Sequence, residues 1–313
     1  LLSPNVSNQG LIVAQQGDVV LAGGDKVTLQ AGANGHLQIA VDPATVNSLI
    51  ENKQLIKADG GQVIMTTAAA SSVWSNVVSN TGTIEAKEMA GQAGQIKLLA
   101  DMNHGITQVN GSLDASAPTT GNGGFIETSA AQVKIAETAK ISTLASQGKQ
   151  GNWLIDPNDF NIGANGSSVA DISGASLGTA LASNNVTIQT SNSTPTCTGI
   201  ICGSGSSGNG DIFVNEAINW GGSGSSNRLT LNSYRNIYIK APIDATSNSA
   251  NGKVSLLYGQ GQADGKNDNS NEASYSFGLT AAGFSGSIKL NAGANLITQL
   301  GSTGTVNNYT VIT

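Results

Sequence analysis

The chain has 313 residues, a formal net charge of −6 and a charged fraction of only 11%. Its two arginines and its scattered lysines form no basic stripe, which argues against a nucleic-acid-binding protein. With 39% apolar residues and so little charge, the composition also argues against a disordered chain. The 40 glycines and the abundance of Ser, Thr and Asn favour an all-β protein with many tight corners. The sequence contains no apolar run of about 20 residues, so no membrane-spanning helix is predicted.

Residues 1–29 already contain short phrases in which apolar residues alternate with small or polar ones. They occupy residues 10–14, 17–21 and 26–29, and the first two begin with a glycine. This alternation predicts short strands, and we expect residues 1–29 to form the first coils of a β-solenoid. The chain begins without Met and has no signal-peptide pattern, so we expect it to be a piece of a longer polypeptide.

Residues 30–52 interrupt the pattern. Residues 37–41 alternate as a strand, but residues 43–52 are more typical of a short helix or turn. We therefore predict that residues 30–52 are an insertion that leaves the solenoid body.

Residues 53–157 repeat the alternating phrase at one period. Ile84, Leu113 and Ile141 are 29 and 28 residues apart, and a second series follows them by 12, 13 and 12 residues, at Ile96, Ile126 and Trp153. Two series in step at one period predict one structural unit per period, stacked on its neighbours. Each series should then form a buried column, and Asn at repeated corners should bond the backbone and the Asn of the next coil.

Residues 158–313 continue the pattern with longer loops rich in Gly, Ser and Asn, including 163–176, 190–210 and 221–227. Residues 243–246 and 252–256 repeat the ladder phrase, so we expect the solenoid to reach the last residue and to continue beyond this segment. We count roughly nine to eleven coils, a body about 45–55 Å long at the ~4.8 Å spacing of strands.

Few residues are arranged for chemistry. The histidines, His36 and His104, are not near a nucleophile-elbow sequence, and Asp114, Glu127 and Asp156 are the carboxylates that a polysaccharide-active β-helix would use. Within strand phrases, outward-facing charges are the simpler interpretation. We therefore predict no enzyme, no cofactor and no metal site, and a solvated loop rather than a calcium site at 264–272.

Two other sets of residues leave alternatives open. Cys197 and Cys202 share one Gly/Ser-rich loop, which suggests a local disulfide in a secreted protein, whereas a zinc site would need two further ligands. The tryptophans Trp74, Trp153 and Trp220 could stack on sugars or fill the core. Trp220 is the best candidate for sugar contact because it abuts a Gly/Ser loop.

Several stretches resemble one family of bacterial proteins. They are residues 4–10, 58–63, 123–129, 151–157, 210–212 and 309–313, and Trp-Leu-Ile-Asp-Pro at 153–157 is the most specific. Over nearly the whole chain the sequence is similar to filamentous-haemagglutinin-like exoproteins of the two-partner secretion pathway. The family's N-terminal secretion module, with its Asn-Pro-Asn-Gly-like motif, is absent apart from last coils that residues 1–29 could supply.

The resemblance implies a right-handed parallel β-helix, here with three short strands per coil. It implies export across the outer membrane by a dedicated β-barrel partner, a location outside the cell or on its surface, and a role in adhesion, aggregation or biofilm. We expect a structural and adhesive fibre segment. The alternatives are the stalk of a contact-dependent toxin delivery protein, a self-assembling filament whose coils stack end to end, and a carbohydrate-active β-helix enzyme.

Overall fold

The computed structural model describes residues 1–32, 35–71, 73–192, 208–222, 225–266 and 272–312. These residues form 31 strands, an α-helix and one 3₁₀-helix, so the protein is all-β, and most of the strands lie in parallel sheets. In the described ranges no helix is both long and apolar enough to cross a membrane. Chain contacts divide the described residues into two units, 1–154 and 155–192 with 208–312.

The first unit contains sixteen complete strands. They are β1 (Asn5–Asn8), β2 (Leu11–Val13), β3 (Asp18–Gly23), β4 (Lys26–Ala31), β5 (Leu37–Asp42), β6 (Ser48–Asn52), β7 (Leu55–Lys57), β8 (Gln62–Thr67), β9 (Asn76–Asn80), β10 (Thr83–Glu85), β11 (Gln95–Leu99), β12 (Ile106–Val109), β13 (Ser112–Asp114), β14 (Phe125–Ser129), β15 (Gln132–Ile135) and β16 (Lys140–Ser142). The chain leaves this unit within β17 (Asn152–Asp156).

Three parallel sheets organise the first unit. Sheet A has the order β1-β6-β9-β12-β15, sheet B the order β2-β7-β10-β13-β16, and sheet C runs β3-β8-β11-β14. From β6 onward the chain enters A, B and C in this fixed order, so strands that are neighbours in a sheet are one sequence repeat apart. The backbone N–H and C=O groups of each repeat therefore bond those of the repeats before and after it.

An antiparallel hairpin, β4–β5, interrupts the parallel sheets of the first unit, and in it Lys26 pairs with Asp42. It starts inside the region predicted to be solenoid, and the chain has already returned to sheet A at Ser48. The predicted helix or turn at 43–52 is therefore wrong for residues 48–52. The strand was missed because two of its three buried positions hold polar residues, Ser48 and Asn52.

The second unit contains fourteen strands and both helices. They are β18 (Phe160–Ile162), α1 (Gly174–Ala180), β19 (Asn185–Gln189), β20 (Ile212–Val214), β21 (Ile218–Asn219), β22 (Arg228–Asn232), β23 (Ile237–Ile239), β24 (Pro242–Asp244), the 3₁₀-helix (Ser247–Ser249), β25 (Lys253–Tyr258), β26 (Tyr275–Phe277), β27 (Leu279–Thr280), β28 (Gly283–Phe284), β29 (Ser287–Lys289), β30 (Gly293–Leu300) and β31 (Asn307–Val311).

Parallel sheets recur in the second unit. Sheet D has the order β18-β20-β23-β26, sheet E the order β21-β24-β29, and sheet F runs β19-β22-β25-β30. The strands β27 and β28 form a small antiparallel hairpin. The strand expected at the end of the chain exists as β31, but it pairs antiparallel with β30, because the connection at 301–306 is too short for a parallel crossover.

Helix α1 lies against β21, the first strand of sheet E. Gly221 N donates to Gly178 O at 2.8 Å, and a Cβ on Gly178 would come within 2.0 Å of Asn219 O. The Ser173 hydroxyl caps the helix by accepting from Ser176 N at 3.0 Å. The helix thus covers a sheet edge that would otherwise be open.

Candidate functional site

The most ordered feature of the first unit is an apolar column through sheet B. Ile56, Ile84 and Leu113 lie opposite one another on neighbouring strands and are fully buried. Ile12 and Ile141 extend the column at its two ends. The structure thus brings together all three residues of the first sequence series. Each packs between the residues at the same position of the neighbouring repeats, so the core is shared between repeats.

Sheet C carries the second column. Val63, Ile96 and Ile126 are paired in register and fully buried. Trp153 is also fully buried, and the preceding residue, Asn152, donates its N–H to Gly124 O at 3.1 Å. The second sequence series is therefore a buried column as well, with the largest side chain at its end.

The indole of Trp153 requires a polar partner in this core. Its Nε1 donates to Thr128 Oγ1 at 3.2 Å, and that hydroxyl donates to Leu154 O at 3.3 Å. Met65 and Leu98 precede Thr128 in the same register. In this row of side chains, a hydroxyl thus replaces an apolar group at Thr128, where the buried N–H of Trp153 needs an acceptor.

Sheet A contains a buried ladder of asparagines. Asn8 Nδ2 donates to Asn52 Oδ1 at 2.8 Å, and Asn52 Nδ2 donates to Asn80 Oδ1 at 2.8 Å. The three side chains are at most 7% exposed. The spare donors reach the backbone of the following turns, Asn52 to Gln54 O and Asn80 to Gly82 O. The Asn-to-Asn and Asn-to-backbone bonding expected at corners is present at these three positions.

A chain of ion pairs runs along the outside of sheet B. Lys57 contacts Asp59 at 3.0 Å and Glu85 at 2.9 Å, and Lys87 contacts Glu85 at 3.1 Å and Asp114 at 3.4 Å. Hydrogen bonds to Glu85 and Asp59 raise the pKa of Lys57. Burial favours a higher pKa for Glu85, but the hydrogen bonds from the two lysines outweigh it and hold the pKa below its ordinary value. These ion pairs link successive repeats of sheet B electrostatically.

The candidate catalytic carboxylates are occupied with such contacts. Asp114 on β13 pairs with Lys87 and accepts from Ser116 N at 3.0 Å. Glu127 on β14 accepts from Ser129 Oγ at 3.1 Å. Asp156, at the start of the second unit, accepts from Gln189 Nε2 and Ser191 Oγ, both at 3.2 Å. Asp114 and Glu127 belong to different sheets, B and C, and each is bound within its own strand neighbourhood.

Of the two alternatives for Trp220, the structure supports the core ring and not the sugar-stacking residue. Trp220 is fully buried, and a Cβ on Gly252 would lie 2.6 Å from its indole. The glycine beside it makes room for an internal ring. Trp153 is equally buried, and Trp74 is 36% exposed.

The histidines have structural contacts. His36 Nδ1 lies 2.9 Å from Asp18 Oδ1, which ties the hairpin β4–β5 to β3. His104 donates its backbone N–H to Asp101 Oδ1 at 2.9 Å. Over the described ranges, no group of three or more His, Cys, Asp or Glu side chains could hold a metal ion. Cys197 and Cys202 lie outside the described residues, so the predicted disulfide stays a prediction.

In the part of the chain that the structure describes, these contacts link neighbouring repeats. No protein-family model matches the chain, and no curated protein matches it.

Proposed function

We propose that each unit is a stretch of right-handed parallel β-helix with three strands per coil. The fixed order in which the chain enters sheets A, B and C supports this, as does the in-register parallel pairing of each strand with its counterpart one repeat away. Parallel crossover connections are right-handed in about 98% of cases, which favours the right-handed form.

The function proposed for the chain is that of a structural and adhesive segment of a large, secreted bacterial surface protein. The observation that carries it is the pair of buried columns, in which Ile84, Leu113 and Ile96 contact the same positions of neighbouring repeats. Such stacking can extend by adding coils without enlarging the core, which is the property that a fibre requires. The resemblance to filamentous-haemagglutinin-like exoproteins supports the same role.

In this proposal the sheets are the rigid part and the outward side chains are the variable part. Every internal strand is hydrogen-bonded on both sides, and ladders such as Asn8–Asn52–Asn80 bind the coils from within. Outward positions have no comparable packing constraint, so they can carry binding residues.

Attachment of coated particles tests the adhesive role. Beads carrying the 313-residue chain should bind to epithelial cells, bacterial cells or films of extracellular polysaccharide above the level of albumin-coated beads. Beads carrying the heat-unfolded chain are the matched control. Attachment at the albumin level on all three surfaces would contradict the proposal.

Export is tested separately. We propose that the full-length protein crosses the outer membrane through a β-barrel partner and remains outside the cell. The chain, fused behind a two-partner secretion module, should appear outside the cell only when the cognate barrel protein is co-expressed. Retention of the fusion inside the cell despite export of the module alone would count against it.

A further inference from the structure

A pair of stacked aromatic rings lies on the outward face of sheet D. Phe213 and Tyr238 are paired in register on β20 and β23, and their rings are 5.0 Å apart with an angle of 7° between planes. Their neighbours Ile237 and Ile239 point into the core and are fully buried. The two rings are only partly buried, so they are surface residues of a rigid sheet.

An ammonium group lies beside the two rings. Lys240 Nζ is 5.6 Å from the centre of the Phe213 ring and 5.9 Å from that of Tyr238. Throughout the described part of the chain, no carboxylate forms an ion pair with Lys240. The protein has a net charge of −6, and several of its other lysines pair with carboxylates. The Lys240 ammonium is instead held by the two aromatic rings.

Small and polar residues surround the aromatic pair. The register partner of Tyr238 on the next strand is Ser276, which is exposed and too short to cover a phenol ring. Beside Lys240 stands Gly278, where a Cβ would come within 2.9 Å of the Lys240 Cα. One face of the Tyr238 ring is therefore open, because Ser276 and Gly278 are too small to cover it.

Two asparagine side chains lie on the other side of the aromatic pair, next to Phe213. Asn161 is the register partner of Phe213, and Asn215 Nδ2 donates to Asn161 Oδ1 at 2.8 Å. This bond fixes the orientation of both amides and leaves the second Nδ2 hydrogen of the exposed Asn215 available to an acceptor.

We propose that this face, defined by Phe213, Tyr238, Lys240 and Asn215, binds an acidic saccharide. The C–H face of one sugar ring would stack on the open side of Tyr238, its carboxylate would pair with Lys240, and a hydroxyl of an adjoining sugar ring would accept from Asn215 on the Phe213 side of the pair. An aromatic face, an uncompensated ammonium and oriented amides on a rigid strand surface are the groups that such a ligand requires. A single cation does not suit an anionic membrane surface, which needs several. The inference gives a ligand class to the adhesive role proposed above and so rests on it.

Direct binding tests the inference without using adhesion as the readout. The probe is an oligogalacturonate of about six sugars, and the matched probe is its methyl ester, which has the same rings without the negative charge. We expect the intact chain to bind the acid form, and Lys240→Gln to weaken that binding about tenfold while hardly changing binding of the ester. Tyr238→Ala should weaken binding of both probes, and Tyr238→Phe should restore most of it, because the ring face is retained.

Control variants separate the site from general charge and from folding. Lys149→Gln removes an exposed lysine in the first unit and should leave oligogalacturonate binding unchanged. Circular dichroism and thermal melting should show that Lys240→Gln and Tyr238→Phe fold as the parent chain does, because all changed atoms are on the outward face.

The outcomes separate the inference from the proposed function. Equal affinity for the acid and ester probes, undiminished binding by Lys240→Gln, or binding to anionic lipid vesicles but not to oligogalacturonate would overturn the inference. Beads that adhere to cells although the chain binds no oligogalacturonate would leave the adhesive role intact and reject this site. Lysine-dependent oligogalacturonate binding by beads that adhere nowhere would support the site and reject the adhesive role.

Discussion

Buried polar residues fix the alignment of neighbouring repeats in a way that apolar residues cannot. An apolar column tolerates a shift of one repeat, because Ile56, Ile84 and Leu113 are nearly interchangeable. The amide of Asn52 instead accepts from Asn8, and donates to Asn80 and to the backbone at Gln54. The ladder ends where Val109 follows Asn80 in register, so only the first coils carry this polar marker. Each unmet buried amide bond costs free energy, which favours one alignment over its neighbours.

Removing the central amide tests this account. We expect Asn52→Ala to lower the free energy of unfolding by about 2–4 kcal/mol, because Asn8 loses its acceptor and Asn80 loses its donor. The control is Asn5→Ala, at an exposed position of β1, which should change stability by less than about 0.5 kcal/mol. Urea unfolding followed by circular dichroism measures both. Equal effects of the two variants would show that the ladder contributes nothing.

The apolar column is tested with a charge. Leu113→Asp should lower the free energy of unfolding by more than about 4 kcal/mol, because Leu113 is fully buried between Ile84 and Ile141 and a carboxylate there has no partner. Ser112→Asp, one residue earlier on the outward face, is the control and should be nearly neutral. Thermal melting distinguishes them, and a near-unchanged midpoint for Leu113→Asp would refute the inward assignment.

Among the secondary-structure elements, α1 shows how packing outweighs local propensity. Gly174 and Gly178 lower the intrinsic helix propensity of a seven-residue segment, yet both are buried against the backbone of residues 217–219. A Cβ at Gly174 would come within 2.2 Å of Ala217 O, as one at Gly178 would approach Asn219 O. The glycines allow a helix to take the place of a strand beside β21.

Substitution of Gly178 by alanine distinguishes the effect of helix propensity from that of packing. Propensity alone would make Gly178→Ala stabilising by about 1 kcal/mol. We expect the opposite, a loss of about 2–3 kcal/mol, because the new methyl group overlaps Asn219 O and must displace the helix. Ala175→Gly, at an exposed site of the same helix, should cost only about 1 kcal/mol. A stabilised Gly178→Ala variant, measured by chemical denaturation, would exclude the close approach.

The ion pairs between strands of sheet B make a pH-dependent contribution. Because the pKa of Glu85 is lower in the folded chain than in the unfolded one, its pairing stabilises the fold above the unfolded pKa of about 4.3 and is lost as pH falls through the folded value. We expect Glu85→Gln to lower stability by up to about 1 kcal/mol at pH 7 and by progressively less as the pH falls through the folded pKa.

The measurement is the free energy of unfolding of the parent chain and of each variant at pH 3 and at pH 7. The exposed Glu137→Gln variant controls for the loss of one negative charge and should show no such pH-dependent difference. A stability loss for Glu85→Gln that is the same at pH 3 and pH 7 would contradict the ion-pair interpretation.

The regular strands and their buried columns could be predicted from the sequence, whereas the irregular features could not. The alternation around Leu113 and Ile126 made both columns predictable, because a strand buried on one face repeats every two residues. Strand β6 was missed because polar residues occupy its buried positions. Helix α1 was not predicted, and its first residues fell in the predicted loop 163–176, because its glycines serve a contact made only in the folded chain. The sequence left Trp220 open between core and sugar contact because neighbouring composition cannot show the space left by Gly252. The face of sheet D was missed since Phe213 and Tyr238 meet only through strand pairing.

At the scale of the molecule, the proposed role depends on stacking. In the proposed β-helix, each added repeat would lengthen the stack, while the outward residues of each repeat would be free to change. The first unit has columns, an asparagine ladder and ion pairs. The second unit keeps parallel sheets and adds a helix, a small hairpin and longer loops. The proposal thus combines rigid support and variable display in one chain.

The spacing of repeats along sheet B tests this account most directly. Leu11 and Lys140 are connected by four successive register pairs, through Leu55, Thr83 and Ser112. At ~4.8 Å per strand their backbones should be about 19 Å apart, although 129 residues separate them in sequence. Spin labels at these two exposed positions, with Cys197 and Cys202 replaced by serine, allow the distance to be measured by pulsed electron paramagnetic resonance. We expect one narrow distribution between about 19 and 30 Å once the label tethers are included. A broad distribution centred beyond about 40 Å would contradict the stacked arrangement on which the proposed function rests.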